Sequence, residues 1–200
     1  MTNSEDGDSI SASEARPGKR ERLVSAASDL LYRQGVENTT LADIAHAADV
    51  PLGNVYYYFK TKDEIVSAVI DAHVHDIEEM VARLDRRHRT PKGRLKALTR
   101  ELRDRRDLVA QYGCPHGTLC SELEKRTSGD DHATVRLLAT QIDWTERQFR
   151  AMGRHDAHDL AVELLAAYQG AAVLTHALRQ PELITQEGRR LERWIDSLEE

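Results

Sequence analysis

The sequence predicts an all-α fold of about nine helices, and three observations predict it. Apolar residues recur at i, i+3, i+4 and i+7 along most of the chain. Helix-start signals stand in front of several of these runs. Alternating Val/Ile/Thr runs bounded by turns are absent, and Pro and Gly are sparse.

The elements follow in order. Leu23, Ala26, Ala27, Leu30 and Leu31 share one helical face, and Gly35 supplies the stop. Leu41, Ile44, Ala45 and Ala48 form a short helix, with Thr40 as N-cap and Asp43 three residues on to complete a capping box. After Asp49-Val50-Pro51 comes a third segment with Val55, Tyr58 and Phe59. Thr61 and Glu64 make a second capping box, opening a longer helix along Val66, Val69, Ile70, Val74, Ile77, Val81 and Leu84. Thr90-Pro91 reads as a cap followed by proline at the first helical position, for a helix carrying Leu95, Leu98, Leu102 and Val109. The stretch Tyr112 to Gly117 breaks the pattern before a short helix over 117–126. Val135, Leu138, Ala139, Ile142 and Phe149 mark the next helix. Residues 157–179 are apolar on nearly every side, and Pro181 separates them from a last helix over 182–198.

Composition narrows the class. The 200 residues are 40% hydrophobic and 31% charged, a globular balance that needs no disulfides to close a core. The acidic start, residues 1–15, has no apolar core of a signal peptide and is predicted to be a disordered tail. No uninterrupted run approaches the roughly 18 apolar residues of a membrane span. Two cysteines do not make a secreted disulfide framework, so the expectation is a cytoplasmic protein with no membrane partner. The net charge of −6 argues against a polyanion partner until it is divided by region. Residues 1–15 carry −4, residues 16–62 carry +2 and residues 63–200 carry −4. The basic groups of the middle segment sit at its two ends, where they could converge on one polyanion.

Residues 40–59 have the layout of a helix-turn-helix. Two short helices flank a tight turn, and Ala45 and Ala48 allow close approach. The second helix would expose Leu52, Asn54, Tyr56 and Tyr57, with Val55, Tyr58 and Phe59 inward; a helix of this size fits the major groove. Lys60 and Lys62 lie just past it, where an ammonium meets a phosphate backbone. Spacing alone leaves a second reading open, in which the three tyrosines are simply core.

Gly35, the Thr39-Thr40 pair, Leu41-x-x-Ile44-Ala45, Val50-x-x-Gly53, Val55-Tyr56-Tyr57-Tyr58-Phe59 and Lys60-x-Lys62-Asp63-Glu64 lie in order within the stretch 20–70. Together they resemble the N-terminal domain of the TetR (TetR/AcrR-like) family of one-component repressors. The resemblance implies a three-helix DNA-binding domain over 16–63 and a ligand-binding and dimerisation domain over 64–200. It implies a homodimer on double-stranded DNA with a palindromic operator, released by a small-molecule effector. Thr40, Tyr56 and Lys62 would meet phosphates, and Leu52, Gly53, Asn54 and Tyr57 would face bases or sugar edges; Thr39 and Lys60 complete the expected DNA-binding set. Two departures stand out. Pro51 replaces a frequent Ser at the N-cap, and Leu52 replaces a polar or basic residue, which suggests contact with a thymine methyl.

The body resembles the family only in size and helix content. A helix apolar on all faces must be covered on all faces. Either it is a central core helix or a second subunit covers it, and the expected interface is Leu160, Leu164, Ala171, Leu174, Leu178, Leu191, Trp194, Ile195 and Leu198. The expected ligand pocket holds Tyr112, Cys114, His116, Trp144, Phe149 and Tyr168. The turn Tyr112-Gly-Cys-Pro-His-Gly-Thr-Leu-Cys-Ser-Glu122 allows other readings. Cys114 near a helix N-terminus and His116 would suit an electrophile sensor, though free cysteines are more often packed. Cys114, His116 and Cys120 fall short of a tetrahedral metal set. A Cys-His enzyme lacks an orienting third residue and an oxyanion site. The expectation is therefore no enzyme, no metal and no cofactor.

Overall fold

The structure, a computed structural model, describes residues 17–126 and 134–198, so the acidic tail predicted over 1–15 lies outside the described residues. The described residues contain ten helices and no strand. These are α1 (Lys19–Gln34), α2 (Leu41–Ala47), α3 (Leu52–Tyr58), α4 (Lys62–Arg87) and α5 (Pro91–Asp104), followed by α6 (Arg106–Tyr112), α7 (Pro115–Arg126), α8 (Val135–Ala151), α9 (Ala157–Leu178) and α10 (Glu182–Ser197). The fold class is the expected one. The extra helix arises where the segment opened by Pro91 breaks at Arg105, whose φ of −90° and ψ of 6° leave the helical region. No apolar side chain falls between Leu102 and Leu108 to hold a straight helix against the core. The break lets α5 lie on α10 while α6 turns to α9.

Local chemistry explains the ends. The Thr40 hydroxyl accepts the Asp43 amide at 3.1 Å, and the Asp43 carboxylate accepts the Thr40 amide at 2.9 Å, closing the predicted box on α2. Thr61 accepts the Glu64 amide at 3.2 Å for α4, but the Glu64 carboxylate accepts the Lys60 amide at 2.7 Å instead of that of Thr61, so the second expected box closes on one side only. Thr90 accepts the Gly93 amide at 3.1 Å for α5. Pro51 gives α3 no side-chain cap; the Asn54 amide instead donates to the Pro51 carbonyl at 2.8 Å. α7 begins at Pro115 rather than 117, because Pro115 has the φ of a first helical residue and the Thr118 amide reaches the Cys114 carbonyl at 2.9 Å.

One hydrophobic cluster runs from Leu23 to Ile195, crossing the expected boundary at residue 63. α4 is its spine, burying Ile65, Val66, Val69, Ile70, Val74, Ile77, Val81 and Leu84 against α1 on one side and α8 on the other. α8, α9 and α10 form the far layer, with α5 against α10. Lys96–Asp196 (2.7 Å), Arg100–Glu192 (3.2 Å) and Arg103–Glu192 (3.5 Å) tie α5 to α10 along their outer edge.

This packing corrects part of the expected interface. Leu160, Leu164, Leu191 and Ile195 are buried within the protomer, because α8 and α10 already cover that side of α9. Trp194 and Leu198 pack half-buried on the same core. Ala171 leans on a smaller cluster of Val109, Cys114, Tyr168, Ala172 and Ile184. Leu174 and Leu178 are exposed, and with Val162, Ala166, Gly170, Val173 and Ala177 they form an apolar stripe along the outer face of α9. Contrary to the expectation from uninterrupted runs, α9 is long and apolar enough overall to cross a membrane. Its apolar residues divide between the protomer core and this stripe.

Gly35 and Gly113 end α1 and α6 with φ of +82° and +86° and ψ of 167° and −175°, backbone that side chains resist. A Cβ on Gly35 would also lie 3.1 Å from a Glu122 carboxylate oxygen, whereas nothing stands within 4 Å of one on Gly53. Gly35→Ala is expected to cost about 1–3 kcal/mol in urea unfolding. Gly53→Ala, inside a helix, should be neutral or gain about 0.5–1 kcal/mol.

Candidate functional site

The outer face of α3 is built from inside outward. Val55 and Phe59 are buried beneath it, and the Arg20 guanidinium lies 5.4 Å over the Phe59 ring. Anchored in this way, α3 turns Leu52, Gly53, Tyr56 and Tyr57 to the surface, with Tyr57 78% exposed and Asn54 half-buried beside them. The Tyr58 ring meets Tyr57 edge-on at 5.0 Å and limits where the exposed ring can swing. Lys60 and Lys62 flank the helix: the Lys60 ammonium donates to the Tyr56 carbonyl and that of Lys62 to the Glu37 carbonyl at 3.3 Å. Lys60 is exposed and Lys62 half-buried.

Two expected DNA contacts have other duties. Thr39 is fully buried; its hydroxyl donates to the Gly35 carbonyl at 2.8 Å, so it shapes the turn between α1 and α2 instead of facing outward. The Thr40 hydroxyl and amide both donate to the Asp43 carboxylate, and those bonds hold that carboxyl below its usual pKa. A residue that the sequence reading passed over, Arg22, locks the turn between α2 and α3 by donating to the carbonyls of Ala48 (2.9 Å) and Asp49 (3.2 Å). Asp49 needs that support, since its φ is +51°.

Behind the head lies a cavity of about 400 Å³, walled by α1, α4, the α5–α6 junction, α7 and α8. A polar thread crosses it. Ser28 Oγ and His73 Nε2 are 3.2 Å apart, the His73 and His116 rings meet edge-on at 5.4 Å, and Gln141 Nε2 lies 3.1 Å from His116 Nδ1. With the Gln141 amide donating, His116 Nδ1 accepts and its proton sits on Nε2. Burial, reinforced by His73 and Arg105, lowers the His116 pKa from 6.5 to about 3. Burial also lowers that of His73, with Asp76 opposing. Tyr32, on α1, donates to the Gly113 carbonyl at 2.9 Å, and burial raises its phenol to about 12. An adjoining cleft of about 620 Å³ between α1 and α4 shares Ser28, Asp29, His73 and Asp76 with the cavity.

Of the expected pocket residues, the structure places only His116 on this cavity. Tyr112 packs on the Tyr32 ring at 5.4 Å, beneath the Arg33 guanidinium. Trp144 and Phe149 are core: Trp144 Nε1 donates to Asp85 at 3.2 Å, and Phe149 meets Trp194 at 5.8 Å. Cys114 and Tyr168 are buried in the smaller cluster, where burial and Cys114 push the Tyr168 phenol up. Cys120 donates to the Thr134 carbonyl at 3.4 Å, and burial raises its thiol to about 11. Among the described residues no three His, Cys, Asp or Glu side chains gather to hold a metal. Ser28, Tyr32, His73 and Gln141 were missed. His73 had a visible signal, since it continues the buried α4 row through Ile70 and Ile77.

The fold and site define a helix-turn-helix head whose recognition helix is exposed, mounted on a hollow helical body. Residues 23–69 match the family model described as bacterial regulatory proteins, tetR family. The chain is 28% identical over 193 residues to the HTH-type transcriptional regulator TtgR of Pseudomonas putida, covering 89% of this chain and 88% of that protein. Its fold is shared by a TetR transcriptional regulator from Legionella pneumophila, at a TM-score of 0.80 and 15% identity over 90% of this chain and 98% of that one. The regulatory protein TetR from Rhodobacter sphaeroides is similar at a TM-score of 0.76 and 24% identity, covering 88% and 97% of the two chains. Residues 23–69 thus carry the match to the tetR family, and the described residues as a whole share the fold of these regulators.

The neutral imidazoles set an acid limit. The folded pKa of His116 lies below the value of 6.5 that it has when unfolded, so the unfolded chain takes up the proton first. The stability that neutral His116 lends is complete above about pH 6.5 and is lost as pH falls toward 3. Urea titrations should lose about 1.4 kcal/mol per pH unit for this proton below that point, and His116→Gln should flatten the slope.

Proposed function

We propose that this chain is a homodimeric repressor of the TetR type that binds a palindromic operator with α3 in the major groove and leaves it when a small molecule enters the cavity. Its DNA-binding head covers about 16–63 and its effector and dimer body about 64–200. The reading is of a cytoplasmic binding protein, not a catalyst. The observation that carries it is that one wall of the cavity, at Ser28, Asp29 and Tyr32, is the first helix of the head itself. A molecule seated there pushes on α1 and α4 together, changing how the head stands on the body. Two heads that no longer match successive major grooves lose contacts on one side.

In this reading Leu52, Gly53, Asn54 and Tyr57 face the bases, and Tyr56, Lys60 and Lys62 face phosphates. Leu52 offers an apolar surface to a thymine methyl. Thr40 takes a phosphate only by giving up a bond to Asp43. The dimer forms along the exposed stripe of α9, where the open space around Gly170 admits a second helix. Two stripes pressed together would bury Val173, Leu174 and Leu178, each more than half exposed in the protomer.

Duplexes selected from a random pool should yield a palindrome. Asn54→Ala and Tyr57→Ala should cost about 1–3 kcal/mol on that sequence and little on random DNA. Lys62→Ala should weaken both and reduce the salt slope by about one. Wild-type affinity for the selected palindrome in the Asn54 and Tyr57 variants would remove α3 from the interface. By sedimentation, Leu174→Glu and Leu178→Glu should be folded monomers, since each sets a charge in a dry contact. Stable dimers of both would move the interface off this stripe.

A further inference from the structure

Besides α1 and α4, a further connection joins the cavity to the head. The Val36 amide, in the turn between α1 and α2, donates to Glu122 Oε2 at 2.7 Å, across 86 residues of sequence. The same carboxylate lies over Gly35, so close that a Cβ there would stand 3.1 and 3.2 Å from its two oxygens. Glu122 is on α7. The first turn of α7 carries Pro115 and His116, which line the cavity. Six residues of helix separate His116 from Glu122, about 9 Å of rigid rod. Between them, the end of the Gln169 side chain of α9 lies over Gly117, where a Cβ would be 2.6 Å from its oxygen. Tyr32 also donates to the Gly113 carbonyl, so the last turn of α1 is fastened to the segment before α7 as well.

A turn amide near the surface can be satisfied by water. Here it is held by a charged side chain from a distant helix, and charge-assisted bonds of this kind are the stronger class. We infer that Glu122 is a positioning residue, through which α7 carries the state of the cavity to the turn on which the helix-turn-helix is mounted. The inference rests on the proposed reading of the cavity as the effector site. It differs from a pivot of α4, which would swing the head as a block. Movement of α7 displaces Gly35 and Val36, and with them the start of α2, so the head is altered internally. A Glu122 oxygen is the acceptor, so a side chain of the same reach that still offers an oxygen keeps the link, though a weaker one.

Coupling between two sites is reciprocal, so the operator itself can serve as the probe. Amide hydrogen exchange would be measured on the full-length dimer, free and saturated with the selected duplex. In wild type, the duplex should slow exchange several-fold both in the head and in α7 around residues 116–120. Glu122→Ala, at saturating duplex, should keep the slowing in α2 and α3 and lose it in α7. Glu122→Gln, whose amide oxygen can still accept the Val36 N–H, should restore the α7 response. If Glu122→Ala does not fold, Glu122→Asp, one methylene short of Val36, should lose the response in its place. A merely structural Glu122 would lower protection across the body with and without DNA, leaving the duplex-induced ratio in α7 unchanged. That result, a wild-type α7 indifferent to the duplex, or a Gln variant as uncoupled as Ala would overturn the inference. A wild-type protein that binds no duplex fails the operator reading itself, and this inference falls with it.

Discussion

The structure depends on α4 being shared. A row of nine buried residues from Ile65 to Leu84 gives this helix one apolar face, and head and body both pack against it. α1 and α8 both pack on it, so neither half of the molecule has a core of its own that stops at the boundary. A head so mounted cannot shift without disturbing side chains that also belong to the body. Interiors are packed too densely to absorb such a shift smoothly, so a small displacement in one part favours a new arrangement over a gradual one.

Much of this was legible before any coordinates. Periodicity and capping placed α1 to α4 closely, because those helices are short-range objects: Thr40 with Asp43, Thr61 with Glu64 and Gly35 at a stop are decisions made within four residues. The inward and outward faces of α3 followed from the same arithmetic, since Val55 and Phe59 lie on the face opposite Tyr57. Thr39 did not follow. Whether a threonine beside an N-cap points out or in is settled by the Gly35 carbonyl reaching it, a contact that no pattern announces.

The body was less legible for a physical reason. Aromatic residues suit a pocket and a core equally, and Trp144, Phe149 and Tyr168 went to cores once α8 and α9 closed on each other. The cavity instead formed where polar residues from four separate segments meet: His116 was a candidate and His73 continues a buried row, but Ser28 and Gln141 carry no such signal, and only the tertiary arrangement joins the four. Likewise α9 is apolar all round, which says that it is covered but not by what. Its inner leucines turned out to be protomer core and its outer ones a free stripe.

The thread of side chains across the cavity has a consequence for selectivity. Ser28 pairs with His73 and Gln141 with His116, and burial disfavours the charged form of both imidazoles. A guest that parts Ser28 from His73, or Gln141 from His116, must hand back an equivalent donor or acceptor at each broken link. One that cannot do so strands a polar atom away from water, a penalty steeper than that of a missing methyl group. In the proposed reading, size alone would not decide admission: the cavity would favour a guest that returns a donor or acceptor at each link it opens.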